Sequence, residues 1–385
     1  MPNAAASRLI LEPFSEQSVV RAAAECLREL GCNPSLVLAF ATADYRPHLA
    51  DFLELLQLHA HAALIVGGSA TSLVGTGVEA EKVSGFSLQL LSLPDTKLST
   101  LVFNGDQAEY RSEAEWRAAA GRAADSEAWL FFGNPVKFNA EPWLKTWSNA
   151  FPGVPTLGGL MSGGRRGDDI FVFHNQKEAD GGVLVGIKGG VKLHTVVSQG
   201  CRPIGEPHAI TSAEDNVVKT IGALPAGARL SESFDSLSAE DKARAAGNIF
   251  AGLAVSEYVD DFKTGDFLIR NLQYDSENGY VVLAAFPRVG QTMQFQLRDR
   301  HSADEELRHL LSEKAGEGIK PFASLVFVCG GRGESLFGVK NHDAEALQRQ
   351  FGDLPCAGFF CNGEVGPVGG SNYVHGYTAA IGLFE

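Results

Sequence analysis

Three stretches, ALIVGGSATS at 63–72, VPTLGGLMSGG at 154–164 and CAGFFCNGE at 356–364, follow one plan: a short apolar run passes straight into glycine and small polar residues. Apolar runs of this length bounded by turn formers read as buried strands. Working outward, each has matching neighbours. The first is preceded by an apolar run at 36–41 and a helical pattern at 47–58, and an alternating segment at 85–91 follows it. The second has a run at 129–132, a helix at 142–151 and a strand at 182–187; the third has 324–329, 343–351 and 377–384. A strand–helix–strand unit with a short return folds as a right-handed parallel crossover, which brings the carboxyl ends of both strands to one rim of a sheet. The fold class predicted is α/β with mixed sheets: two fused sheet-and-helix domains built from repeated strand–helix–strand units with glycine-rich turns.

The chain has 385 residues, and single cores tend to split beyond roughly 250–300. The expected division is an N-terminal helical segment at 1–34, a first domain at 35–224 and a second at 225–385, with 224–229, containing Pro225 and Gly227, as the linker. Between the repeats, Ser15 and Gly31 bracket an amphipathic helix. Capping boxes start helices at Ser112 with Glu115 and at Ser302 with Glu305. A long helix is expected at 238–259, then strands at 267–273 and 279–286 around a turn at 275–278.

Composition narrows the function. A formal charge of -14 repels phosphate backbones and anionic headgroups, so neither nucleic acid nor membrane is an expected partner. No signal-peptide pattern and no run of about 18 apolar residues occurs, and the expected location is the cytoplasm. The six cysteines include no Cys-x-x-Cys pair and read as buried thiols. The histidines lack ligand spacing, so no metal is expected. Gly-x-Gly-x-x-Gly, phosphate-loop and Gly-x-Ser-x-Gly patterns are absent. Trp116, Trp129, Trp143 and Trp147 are spaced for packing.

What chemistry remains gathers at the glycine turns, which parallel crossovers bring to one edge as natural pocket walls. Ser69, Thr71, Gly159, Ser162, Asn362 and Gly363 are therefore candidate ligand-binding residues. The third repeat adds Cys329, Arg332 and Glu364. Arg332 presents a planar fork suited to a carboxylate and Glu364 suits an amine, or the two form a structural ion pair. Cys329 next to a guanidinium reads as a nucleophile only with a base, for which His342 and His375 are candidates.

The turn GGSATS, the segment PTLGGLMSGG with its GGVLVGI strand, the block FLIRNLQYDSENGYVVL and the ending CAGFFCNGEVGPVGGSNYVHGYTAAIGLF together resemble the FIST family. That family pairs an N-terminal with a C-terminal FIST domain. The resemblance extends from about Leu36 onward and implies a sensory module that binds a small ligand, an amino acid or related metabolite, for signal transduction. It adds Arg270 and Thr378 to the site, beside Arg332 and the Gly363–Glu364 pair; the segment 373–377 departs from the family pattern. No kinase, cyclase or F-box segment is attached, which implies a separate signalling protein. Haem is the alternative that the resemblance raises, through nitric-oxide sensors, with His174, His194, His208 or His375 as axial ligand. A thiol-dependent hydrolase or transferase using Cys329 is the third reading; a binding module is expected rather than an enzyme.

Overall fold

The structure, a computed structural model, describes residues 2–164, 167–259, 262 and 265–385. It is an α/β fold of several sheets with two compact units, one comprising Met1–Val197 with Arg308–Glu385 and the other Ser198–Leu307. These differ from the expected stretches 35–224 and 225–385, because the chain leaves the first unit and later returns to it.

The first unit repeats one motif three times. The first copy comprises β1 (Ala4–Ile10), α1 (Glu16–Leu30), β2 (Leu36–Thr42), α2 (Leu49–Ala60), β3 (Ile65–Ala70), the hairpin β4 (Ser72–Gly75) and β5 (Val78–Glu81), and β6 (Phe86–Ser92). The second runs β7 (Lys97–Phe103), α3 (Glu113–Ala120), β8 (Ala128–Gly133), α4 (Ala140–Ala150), β9 (Thr156–Leu160), β10 (Val172–His174), β11 (Lys177–Ala179) and β12 (Gly182–Lys188). The third runs β13 (Leu193–Ser198), α5 (Arg300–Gly316), β14 (Ala323–Cys329), α6 (His342–Phe351), β15 (Cys356–Cys361), β16 (Glu364–Val368), β17 (Ser371–His375) and β18 (Ala379–Phe384). The second unit begins at the last residue of β13 and ends within α5.

The three predicted crossovers are parallel: β2 with β3, β8 with β9 and β14 with β15. Each copy builds a sheet from its own first, last, second and third strands, and the hairpin completing that sheet comes from another copy. The orders are β1-β6-β2-β3-β10-β11, β7-β12-β8-β9-β16-β17 and β13-β18-β14-β15-β4-β5. The hairpins are thus exchanged in a cycle. At each exchange a side chain at the hairpin accepts the first N–H of the strand it joins. Asn175 Oδ1 accepts from Ile65 at 2.9 Å, Asn372 Oδ1 from Thr156 at 2.7 Å and Thr76 Oγ1 from Cys356 at 3.2 Å.

The strands read as unbroken apolar runs because both sheet faces are covered. In β2, Leu36, Leu38 and Phe40 enter a central core, while Val37, Ala39 and Ala41 face α1 and α2. The central core holds Phe40, Phe132 and Phe327, one from the equivalent place in each copy, with ring centroids 5.5, 6.3 and 6.1 Å apart. The four tryptophans pack as predicted; Trp129 meets Trp147 edge-on at 5.0 Å, and Trp147 Nε1 donates to Thr156 Oγ1 at 3.1 Å.

The glycine stretches begin as strand, and the second and third leave it only after Leu160 and Cys361. Gly67 and Gly68 lie inside β3, Gly158 and Gly159 inside β9, and Cys361 closes β15. Their glycines serve close approach: a Cβ on Gly67, Gly158 or Gly358 would lie 1.7, 1.9 or 1.8 Å from the carbonyl oxygen of its register partner, Ala39, Phe131 or Val326.

Ser15 caps α1 by accepting from Ser18 N–H at 3.1 Å, and left-handed Gly31 ends it. The Ser112–Glu115 capping box is present. The box at Ser302 is not the start of α5: Asp299 caps it, accepting from the N–H groups of His301 and Ser302 at 2.9 and 3.0 Å. In the second unit the expected helix at 238–259 is a short helix, Ala239–Ala245, followed by the strand Ile249–Ala254, whose β-branched and aromatic start favours a strand. The expected linker at 224–229 is a two-residue strand leading into the helix Ala226–Asp235. This unit folds an eight-stranded sheet over its own core of Ile204, Ile210, Val218, Val281, Phe295 and Leu297.

Alanine at Gly67, Gly158 or Gly358 is expected to lower stability by at least ~2 kcal/mol, the upper range of core overpacking. Gly316→Ala, which has nothing within 4 Å of its Cβ and ends a helix, should be neutral or stabilising. Urea denaturation of the four variants measures this.

Candidate functional site

The carboxyl rim of the third parallel pair carries a buried ionic cluster. Arg332 follows β14 and is fully buried. Its Nε donates to Asp343 Oδ2 at 2.7 Å, its Nη2 to Asp343 Oδ1 at 2.9 Å and its Nη1 to the Tyr377 carbonyl at 3.4 Å. The guanidinium also lies over Phe337, 5.2 Å from the ring centroid, and His342 stacks on that ring at 3.4 Å with its Nδ1 2.9 Å from Asp343 Oδ1. Glu79 arrives on β5, the exchanged hairpin of the first copy. Its Oε1 accepts from the N–H groups of Asp343 and Ala344 at 2.9 and 3.0 Å, in the first turn of α6, where a helix favours negative charge. Glu364, wholly buried at the start of β16, accepts from Thr378 N–H at 3.2 Å; its Oε1 has no hydrogen-bond partner among the described residues.

These carboxyls differ in proton affinity. Burial, then the charge of Asp343, pushes Glu79 up to about 7. Burial also works to raise Asp343, but the charge and hydrogen bonds of Arg332, with His342, outweigh it and hold Asp343 at about 2. Burial drives Glu364 and the Cys361 thiol well above their ordinary values.

Of the six candidates expected at the glycine stretches, Thr71 meets Ser162 and Gly159 lies beside Gly363, whereas Ser69 and Asn362 bond to other residues. Ser162 Oγ accepts from Thr71 N–H at 2.9 Å and donates to the Phe360 carbonyl. Asn362 N–H donates to Leu160 O at 3.0 Å, and Leu160 N–H to Gly363 O at 2.8 Å. Ser69 Oγ accepts from Phe171 N–H at 3.0 Å, and Cys361 Sγ occupies the space that a Cβ on Gly159 would fill. Cys329 sits half-buried on the third rim. Arg332 holds a carboxylate of the chain itself in its fork, Asp343, which stands eleven residues later and gave no signal of its own. Arg270 lies in the strand Phe267–Arg270 of the second unit. Of the histidines considered as ligands or bases, His375 Nε2 lies 3.0 Å from Gly366 O and His194 Nε2 3.1 Å from Glu385 Oε2; His174 lies in β10 and His208 in the second unit. Among the described residues, no three or more His, Cys, Asp or Glu are grouped to hold a metal ion, and no helix is long and apolar enough to cross a membrane.

Open space lies at the other two rims. A cleft of 300 Å³ is lined by Arg46, Asn134, Lys137, Gly167, Ile170, Glu178, Ala179 and Asp180. Arg46 pairs with Glu178 at 2.7 Å and Lys137 with Asp180 at 3.2 Å, all four side chains between a third and a half exposed. Sequence reasoning missed these four: Glu178 reaches Arg46 only through the exchange of β10 and β11, and Asp180 reaches Lys137 across the pairing of β12 with β8 in their own copy. A second cleft, of 410 Å³, is lined by Pro135, Phe138, Asn139, Ala140, Glu141, Leu160 and Val374. Residues 134–141 supply walls to both.

Comparison with known proteins finds the FIST N domain over residues 35–223 and the FIST C domain over 212–367. An uncharacterized protein of Mycobacterium tuberculosis (strain H37Rv) is 32% identical over 97% of both chains. An uncharacterized protein of Mycobacterium bovis is 33% identical over 97% of this chain and 96% of its own. A solved cyanuric acid hydrolase aligns over 99% of this chain and 100% of its own at 11% identity, with a TM-score of 0.32, too weak a likeness to carry an argument.

The cluster sets a pH dependence. A carboxyl whose folded pKa is raised contributes stability that is complete below its unfolded pKa and lost as pH rises through the folded value. For Glu79 that window runs from 4.5 to about 7, and Glu364 acts in the same direction. Asp343 acts oppositely, contributing above 3.8 and losing its contribution as pH falls towards about 2. Glu79→Gln, neutral at every pH, should show a smaller loss of stability than wild type between pH 4.5 and 7.5 in urea denaturation; an equal loss contradicts the assignment. Asp343→Asn strands the buried charge of Arg332 and should cost about 3–5 kcal/mol.

Proposed function

Because this chain belongs to the FIST family, whose domains are generally regarded as small-ligand sensory modules, we propose that it is a cytoplasmic sensor of an amino acid or related metabolite that signals through a separate protein. The observation that carries this reading is the 300 Å³ cleft, where Arg46 and Lys137 face Glu178 and Asp180. A ligand bearing a carboxylate and an ammonium group matches both signs. Exposed ion pairs of this kind contribute only about 0–1 kcal/mol each, so a zwitterion exchanging partners with them meets a small barrier. Asn134, 3% exposed, supplies a fixed polar wall: its Oδ1 accepts from Val136 N–H at 3.0 Å. Asp180 is held in turn by Gly105 N–H at 3.3 Å. The volume lies at the lower end of small-molecule sites, roughly 300–1,000 Å³, which favours a small metabolite.

A thermal-shift screen of amino acids and related metabolites tests it. A true ligand at about a hundred times its dissociation constant stabilises the native state by ~2.7 kcal/mol, and Arg46→Ala or Lys137→Ala should abolish that shift. No shift from any compound, or a shift unaltered by both substitutions, contradicts the assignment.

A further inference from the structure

Cys329 and Cys361 are the last residues of β14 and β15, and they are register partners across the parallel pair. Neighbouring strands lie about 4.8 Å apart, inside the Cα separation of roughly 4.4–6.8 Å that a disulfide spans. Both side chains leave the same face. Leu325 and Phe327 of β14, and Ala357, Phe359 and Cys361 of β15, all enter the central core, and strand alternation sends Cys329 the same way as Cys361. The ladder is loosening at this point: Gly330 N–H reaches Cys361 O at 3.3 Å, and the Gly330–Gly331 pair lets Cys329 shift.

We propose that Cys329 and Cys361 are an oxidisable pair that closes to an intramolecular disulfide when the protein meets a peroxide. The order of events follows from access. Cys329 is half-buried on the rim, whereas Cys361 is 3% exposed with its sulfur against Gly159. Gly331 N–H donates to Cys329 Sγ at 3.5 Å on the rim, and the burial that raises Cys361 keeps it a thiol. The Cys329 thiolate attacks one peroxide oxygen, the O–O bond breaks, and with one proton taken up the products are a sulfenic acid and water. Cys361 sulfur then attacks Cys329 sulfur, the S–O bond breaks, and the hydroxyl leaves with the Cys361 proton as a second water. Two thiols and one peroxide thus give one disulfide and two waters. The bond would tie β14 to β15 at the base of the loop that carries Arg332, so oxidation would stiffen the third rim, whatever ligand the protein senses.

The experiment treats the full chain with hydrogen peroxide, alkylates the remaining thiols and maps peptides without reduction. The expected result is one linked pair of peptides containing Cys329 and Cys361, with the other four cysteines alkylated. In Cys361→Ser, the Cys329 sulfenic acid should persist and be trapped by dimedone; in Cys329→Ser, Cys361 should remain a thiol. The wild-type map stands even if a variant fails to fold. The proposal is overturned if wild-type Cys329 passes to sulfinic acid while Cys361 stays reduced, if it bridges to a second molecule, or if neither cysteine reacts before the protein unfolds.

Discussion

The cyclic exchange of hairpins is the constraint on which the first unit depends. No copy owns a complete sheet: each parallel pair is flanked on its open side by a hairpin that another copy provides. The amides that open β3 and β9 would lose their side-chain acceptors if those hairpins were absent, and a buried N–H so stranded costs about 1–3 kcal/mol; the amide that opens β15 is shared between Thr76 of the hairpin and Ser7 of β1. Asn175, Asn372 and Thr76 satisfy these amides at equivalent places. The central core follows from the same closure, since Phe40, Phe132 and Phe327 meet only when all three sheets are assembled.

The exchange also builds the chemistry. Glu79 reaches the first turn of α6 because β5 travels from the first copy to the sheet of the third. Glu178 reaches Arg46 because β11 travels from the second copy to the sheet of the first. The two rims then diverge in character. In the third, a bidentate guanidinium–carboxylate pair and two high-affinity carboxyls are sealed from water, which makes it a rigid and strongly pH-linked element. In the cleft beside Arg46, the same kind of charges stay partly hydrated, where a ligand can compete for them.

Much of the fold was legible in the sequence because strands buried on both faces leave unbroken apolar runs, and the strand–helix–strand order repeats. The three parallel pairs are found where those runs predict them. The glycine stretches were legible as special but not in their role, since Gly67 and Gly158 relieve contact with a neighbouring strand that the sequence does not identify. β1 was missed because AAASRLI carries little hydrophobic signal and depends on pairing with β6. Hairpin exchange was not legible at all: alternation fixes which face a residue takes, not which sheet a hairpin joins. For that reason Arg332 could be singled out while the approach of Glu79 to the first turn of α6 could not, and the pairing of Arg46 with Glu178 went unseen.

Native-state hydrogen exchange of wild type and Asn372→Ala tests the closed cycle most directly, through the amides of Ile65, Thr156 and Cys356. If exchanged hairpins hold the three copies as one cooperative body, removing a single clamp lowers the protection of all three amides together. Loss confined to Thr156, with Ile65 and Cys356 unchanged, would show that the copies are stable independently and contradict the account.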